Sequence, residues 1–159
     1  MTTPVLQALL LADHVYQDRG TGKHVICGVF SGMGFIPKGA KPKQPPGEGN
    51  AVPARSLIRA GSPFAYLSLT EVHGAKTIEL RYIDLSNNDV LLSTQFQVKC
   101  NDPLETVEVA LPLPSLPAPH AGVFALELLC ENTLLGSHRL KVVQDPNFTV
   151  EEPDAPSQN

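Results

Sequence analysis

Lys76-Thr77-Ile78-Glu79-Leu80-Arg81-Tyr82-Ile83-Asp84 and, five residues on, Val90-Leu91-Leu92-Ser93-Thr94-Gln95-Phe96-Gln97-Val98-Lys99-Cys100 are the stretches on which the fold class turns. In the first, Ile78, Leu80 and Tyr82 alternate with Glu79, Arg81 and Ile83. In the second, Val90, Leu92, Phe96 and Val98 alternate with Ser93, Gln95, Gln97 and Lys99. A period of two is that of a strand with one face buried. Residues opposite one another in an antiparallel pair share a face, so paired numbers here must sum to an even value. A two-residue Asn87-Asn88 turn pairs Tyr82 with Ser93 and mixes the faces. A three-residue loop, Asn87-Asn88-Asp89, pairs Leu80 with Phe96 and keeps them matched. The expected hairpin therefore has an odd-length loop with one residue in the left-handed region.

The same reading extends outward. Phe64–Val72 is expected as a strand turned by His73-Gly74. Leu104–Leu111 follows with Val107, Val109 and Leu111 inward and Glu105 out of place on that face. In a last hairpin, Gly122–Glu131 and Leu134–Val143, the inward set is Phe124, Leu126, Leu128, Cys130, Leu140 and Val142; parity again asks for an odd loop, Glu131-Asn132-Thr133. Val5–Tyr16 is apolar on both parities through Leu11, which suits a buried strand or a short helix. Lys23–Phe30, at hairpin distance across Gly20-Thr21-Gly22 and rich in β-branched residues, favours the strand. About eight strands, punctuated by much of the chain's 15 prolines and 12 glycines, predict an all-β fold over residues 1–143. The architecture expected is a two-sheet antiparallel β-sandwich, immunoglobulin-like or a related Greek key.

Two segments fall outside that pattern. Residues 37–63 read as a long basic Pro/Gly-rich loop, with Lys38, Lys41, Lys43, Arg55 and Arg59 against Glu48 alone. Residues 144–159 read as an acidic disordered tail carrying Asp145, Glu151, Glu152 and Asp154. The basic loop is a possible interaction element, and one that can fold back on the tail. Pro112–Pro119 reads as an extended crossover, although Pro114–Pro117 has the P-x-x-P form.

Composition narrows the function classes. With 42% apolar and 18% charged residues the chain can bury a core. Its longest uncharged apolar run, Val5–Ala12, is too short to span a bilayer, and no basic region precedes it as in a secretory signal. A net charge of −4 exerts no general pull on nucleic acid or anionic membranes, and the basic loop has no aromatic residue to stack bases. Three cysteines cannot all pair, their spacing fits no zinc pattern, and a reducing cytoplasm is the expected compartment.

Candidate chemistry is sparse. Gly20-Thr21-Gly22-Lys23 is not a phosphate loop: Gln17 stands where the first glycine is needed and His24 where the magnesium-binding hydroxyl belongs. Val29–Gly34 lacks the G-x-S-x-G order of a nucleophile elbow. Of the histidines, only His138 shares the parity of Leu140 and Val142, which suits a satisfied core imidazole. Cys100 and Cys130 read as small buried hydrophobes. Asp13, Asp18, Asp84 and Asp89 fall in separate turns, as turn formers do, rather than converging as calcium ligands. The absence of Trp removes the usual aromatic platform for sugars. No catalytic residue, metal or cofactor is implied.

Two stretches resemble a known family. The first contains Asp13-His14-Val15-Tyr16-Gln17-Asp18, Thr21-Gly22-Lys23 and Gly28-Val29-Phe30; the second runs from Pro119-His120-Ala121-Gly122-Val123-Phe124 through Leu134-Leu135-Gly136. Together they are similar to an uncharacterised bacterial β-sandwich domain family of unknown function, over residues 5–143. The resemblance implies a fold and carries no active-site residues. The expected function is a non-catalytic protein-interaction module with a protein partner or a second copy of itself. The alternatives are a ligand-binding or enzymatic domain with a loop-assembled site, and a structural subunit of an assembly.

Overall fold

A computed structural model describes residues 2–43 and 62–150, and the account is of these. The chain runs β1 (Val5–Gln17), β2 (His24–Val29), β3 (Gly32–Phe35), β4 (Lys41–Pro42), β5 (Phe64–Thr70) and β6 (Gly74–Asp84), then β7 (Val90–Cys100), β8 (Val107–Pro112), β9 (Gly122–Cys130), β10 (Thr133–Gln144) and β11 (Phe148–Thr149). These strands form a four-stranded sheet, β2-β1-β5-β8, a five-stranded sheet, β3-β10-β9-β6-β7, and a two-stranded sheet, β11-β4. The fold is all-β. No helix among the described residues is long and apolar enough to cross a membrane.

Alternation places the core. Leu9 and Leu11 of β1, Leu67 and Leu69 of β5, Ile78, Leu80 and Tyr82 of β6, Phe124, Leu126 and Leu128 of β9 and Leu140 of β10 belong to one buried cluster. Both large sheets contribute to it. The double apolar parity of β1 has its own cause. Its first half pairs with β5 and its second half with β2. Ala12 and Val15 join Tyr66 in a second cluster with Ile26, Phe64 and Ala110. His24, at the start of β2, lies 5.6 Å from the Tyr66 ring and 3.4 Å from a Glu108 oxygen. The β1–β2 hairpin thus packs residues of its own onto β5 and β8.

Several expectations need correction. The β6–β7 pairing is Ile78 with Phe96 and Leu80 with Thr94, two residues away from the expected Leu80–Phe96 pair. A two-residue slip keeps every side chain on its face, so alternation cannot choose between the registers. The choice is made in the connection, 85–89, where Asn88 has φ 62° and Asp84 N donates to Asp89 O at 2.9 Å. A bulge between Tyr82 and Ile83 takes up one residue of β7.

The β9–β10 turn is the two-residue Glu131-Asn132, with φ 49° and 69°, rather than three residues. Parity is restored by a bulge between Leu134 and Gly136, after which Leu126 faces His138 and Phe124 faces Leu140. A Cβ on Gly136 would sit 2.5 Å from Leu6 Cδ2, so a larger residue there obliges the Leu6 side chain to shift.

Not every pair is antiparallel: β3 runs parallel to β10, with Met33 opposite Val142. Two of the four residues of β3 are glycines, which hid it among turn signals. β8 begins at Val107, not Leu104; Leu104 is 85% exposed, and Glu105 lies in the preceding turn, its N bonded to Asp102 O at 3.0 Å. Residues 145–149, read as tail, carry an Asp145 turn and β11. Part of the basic loop pairs with them: Pro42 lies opposite Phe148 and Lys43 N donates to Asn147 O at 2.8 Å. These contacts join backbone atoms, and Glu151, Glu152 and Asp154 lie outside the described residues. In the crossover after β8, Leu113 and Leu116 are buried, which ties the segment to the core.

Candidate functional site

Sheet order leaves β7 at the end of the five-stranded sheet and β8 at the end of the four-stranded one. Between them opens a cleft of ≈ 270 Å³, lined by Leu92, Ser93 and Thr94 of β7 and by residues 111–114. Among the described residues its lining contains no ionisable side chain. Its size is that of one or two apolar side chains and below the usual range for small-molecule sites, about 300–1,000 Å³.

The edge itself is unusual. β7 is 11 residues long, contains no proline, and has one charged residue, Lys99, near its far end. Exposed edges are commonly blunted by shortness, proline or inward charge. Other edges among the described residues have such features: β3 has four residues, β8 ends in Pro112, and β2 contains Gly28 at φ 68°. On the outer face beside β7, Arg81 Nη2 bonds Glu127 at 3.1 Å and its Nε lies 4.0 Å from Glu79, while Ser93 Oγ donates to Glu79 at 2.9 Å.

A second polar group sits where the crossover meets β6. The Asp84 carboxylate, 2% exposed, accepts on Oδ1 from Ser86 N at 2.9 Å and Ser86 Oγ at 2.7 Å. His120 Nε2 meets Oδ2 at 2.5 Å, and His120 Nδ1 meets the Ala121 carbonyl at 2.8 Å. Both ring nitrogens face acceptors, so the imidazolium is the form that satisfies both. Ser86 donates to the carboxylate rather than to the imidazole, so this imidazole does not activate the Ser86 hydroxyl. The Ser86 hydrogen bonds, chiefly, hold the Asp84 carboxyl below its ordinary range. The Ala121 carbonyl and then Asp84 raise the His120 pKa. Beneath them Tyr82 stacks on Phe124 at 5.5 Å, and its buried hydroxyl has no hydrogen-bond partner among the described residues.

A pH signature follows by linkage. The Asp84 contribution to stability is present above the free carboxyl value of 3.8 and is lost as pH falls through its lowered value. The His120 contribution is complete below 6.5 and is lost as pH rises through its raised value. In thermal unfolding followed by circular dichroism, the gap between the intact chain and His120→Ala should be wide near pH 6 and should narrow as the medium becomes alkaline. A gap independent of pH would remove the charged pair from the account.

On the four-stranded sheet the Tyr66 hydroxyl donates to Glu108, and burial, followed by that carboxylate, pushes its pKa up to about 12. This phenol is poorly suited to proton transfer at neutral pH.

The residues singled out in the sequence are dispersed. Lys38 and Lys43 are exposed and Lys41 lies in β4, whereas Arg55 and Arg59 lie outside the described residues. Cys100 and Cys130 are buried and Cys27 is exposed; all three are free thiols. His138, expected as a core imidazole, is half-buried, and its Nε2 donates to the Phe30 carbonyl at 3.0 Å. Asp18 caps its turn through Thr21 N and Oγ at 2.7 and 2.8 Å, and Asp89 receives Asn87 Nδ2 at 2.7 Å. Among the described residues no group of three or more His, Cys, Asp or Glu side chains is placed to hold a metal ion. Sequence reasoning missed that β7 ends its sheet among the described residues, because which strand ends a sheet depends on strand order. The proline-rich run 112–119 was the one local hint that a seam lies beside β8. No protein-family model matches the chain, and no curated protein matches it.

Proposed function

We propose that this chain is a non-catalytic protein-interaction module of the bacterial cytoplasm, a two-sheet β-sandwich of immunoglobulin-like or related Greek-key type, which accepts an extended strand along β7. One observation carries the reading: an 11-residue strand at the end of its sheet, without proline or inward charge, beside a cleft with no ionisable side chain among the described residues. A segment added to such an edge gains main-chain hydrogen bonds along its length, and the cleft selects an apolar side chain. The Asp84–His120 pair gives a loop-assembled enzyme little support, since both imidazole nitrogens are engaged.

Thr94→Lys tests the reading. Thr94 is half-buried and lines the cleft, so a lysine there places a charge where an added strand must lie. Affinity capture from the native host should recover proteins with the intact chain that Thr94→Lys fails to retain, with both chains giving the same circular dichroism spectrum. Recovery of an identical set by both would overturn it.

A further inference from the structure

The composition of β7 identifies a strand that fits its own edge: a second copy of β7. We propose that two copies of this chain pair antiparallel through β7 about a two-fold axis at Phe96, so that the numbers of paired residues sum to 192. This inference rests on the reading of β7 as a strand-accepting edge.

The register is chosen by three constraints. First, faces must match, which admits only even sums. Second, β7 is regular from Leu92 to Cys100, since the bulge against β6 lies beyond Leu92. A two-fold axis at Phe96 is the one that uses this whole regular span. Leu92 then lies opposite Cys100 of the second copy and Thr94 opposite Val98, on the core side. On the outer side Ser93 faces Lys99 and Gln95 faces Gln97. Apolar residues and Thr94 meet apolar ones, polar residues meet polar ones, and no like charges oppose each other.

Third, the charges are complementary. Arg81 serves two carboxylates, Glu127 at 3.1 Å and Glu79 at 4.0 Å. Glu79 leans toward the edge, accepting from Ser93 Oγ at 2.9 Å. Lys99, exposed, has no ion-pair partner among the described residues of its own chain. Placing Lys99 of the second copy opposite Ser93 brings an ammonium to the carboxylate that shares its cation, twice by symmetry. Self-pairing of this kind is isologous and closes on itself as a dimer.

The test is light scattering after size exclusion, with sedimentation equilibrium for the dissociation constant. The intact chain should elute at twice 17.1 kDa. Lys99→Glu sets carboxylates against Glu79 at both ends and should weaken the dimer about tenfold. Adding Glu79→Lys to it should restore most of that loss, and Thr94→Lys should give a monomer. For the register, chains bearing Gln95→Cys and Gln97→Cys, each in a Cys27→Ser background, should form a mixed disulfide with each other and not with themselves.

A monomeric intact chain whose captured proteins are still lost with Thr94→Lys would overturn this inference and leave the strand-accepting edge standing, occupied by a foreign strand. A dimer indifferent to Thr94→Lys would overturn it by showing that another surface associates. A dimer sensitive to Thr94→Lys but not to the charge exchange, or without the mixed disulfide, would overturn the register.

Discussion

Replacing Phe124 by alanine should lower the free energy of unfolding by about 3–5 kcal/mol. Phe124 is 0% exposed, lies opposite Asp84 on one side and Leu140 on the other, and stacks on Tyr82 with an interplanar angle of 19°. Its loss removes apolar area, the ring contact with Tyr82 and part of the packing against the His120 ring, 5.3 Å away. The neighbours belong to strands paired on both sides and cannot collapse far into the space. In a chain of this length the unfolding midpoint should drop by roughly 6–20 °C, read by calorimetry. Phe124→Leu, which keeps most of the volume, should lose much less. A drop of only a degree or two for the alanine variant would mean that the ring is not a core element.

Gly28 should be the least replaceable position of the β1–β2 hairpin. Its φ of 68° lies in the left-handed region, and a Cβ there would stand 2.3 Å from Asp13 Oδ2 and 3.1 Å from Asp13 Cβ. Left-handed backbone costs an L-residue about 1–2 kcal/mol. Gly28→Ala should therefore destabilise by about that amount, plus whatever the displacement of Asp13 adds. Gly28→Val should be worse, because a β-branched side chain is poorly compatible with positive φ. Gly28→Asn should be milder in its backbone component. A double-mutant cycle with Asp13→Ala separates the two causes: relief in the double variant measures the steric part, and the remainder is backbone. If alanine and valine prove equally harmless in urea titration, the turn has another conformation open to it.

These two positions show how legibility was divided. The burial of Phe124 was readable from the period-two run 122–130, because facing the core is a property of one strand and its alternation. Gly28 was visible only as part of a Gly-Val-Phe motif. Its reason, the approach of Asp13 across the hairpin, needs the partner strand. Parity predicted that both later hairpins keep their apolar faces together, and they do. The means differed: β6–β7 slipped by two residues, and β9–β10 combined an even turn with a bulge. Side-chain period constrains a register only modulo two, so turn geometry and bulges supply the rest. β3 escaped because its glycines give no apolar period of their own; it exists by pairing with β10.

Alternation and turn chemistry, which act between residues a few positions apart, were enough to determine that the fold is all-β and which side chains of β6 and β9 face the core. Strand order was decided only when every strand's apolar face was buried at once. Among the described residues that order set β7 at the end of its sheet, brought residues 111–114 beside it to form the cleft, and carried His120 to Asp84 across 36 positions of sequence. Contacts of that range have no local period to announce them, because they depend on how whole sheets close over a shared interior.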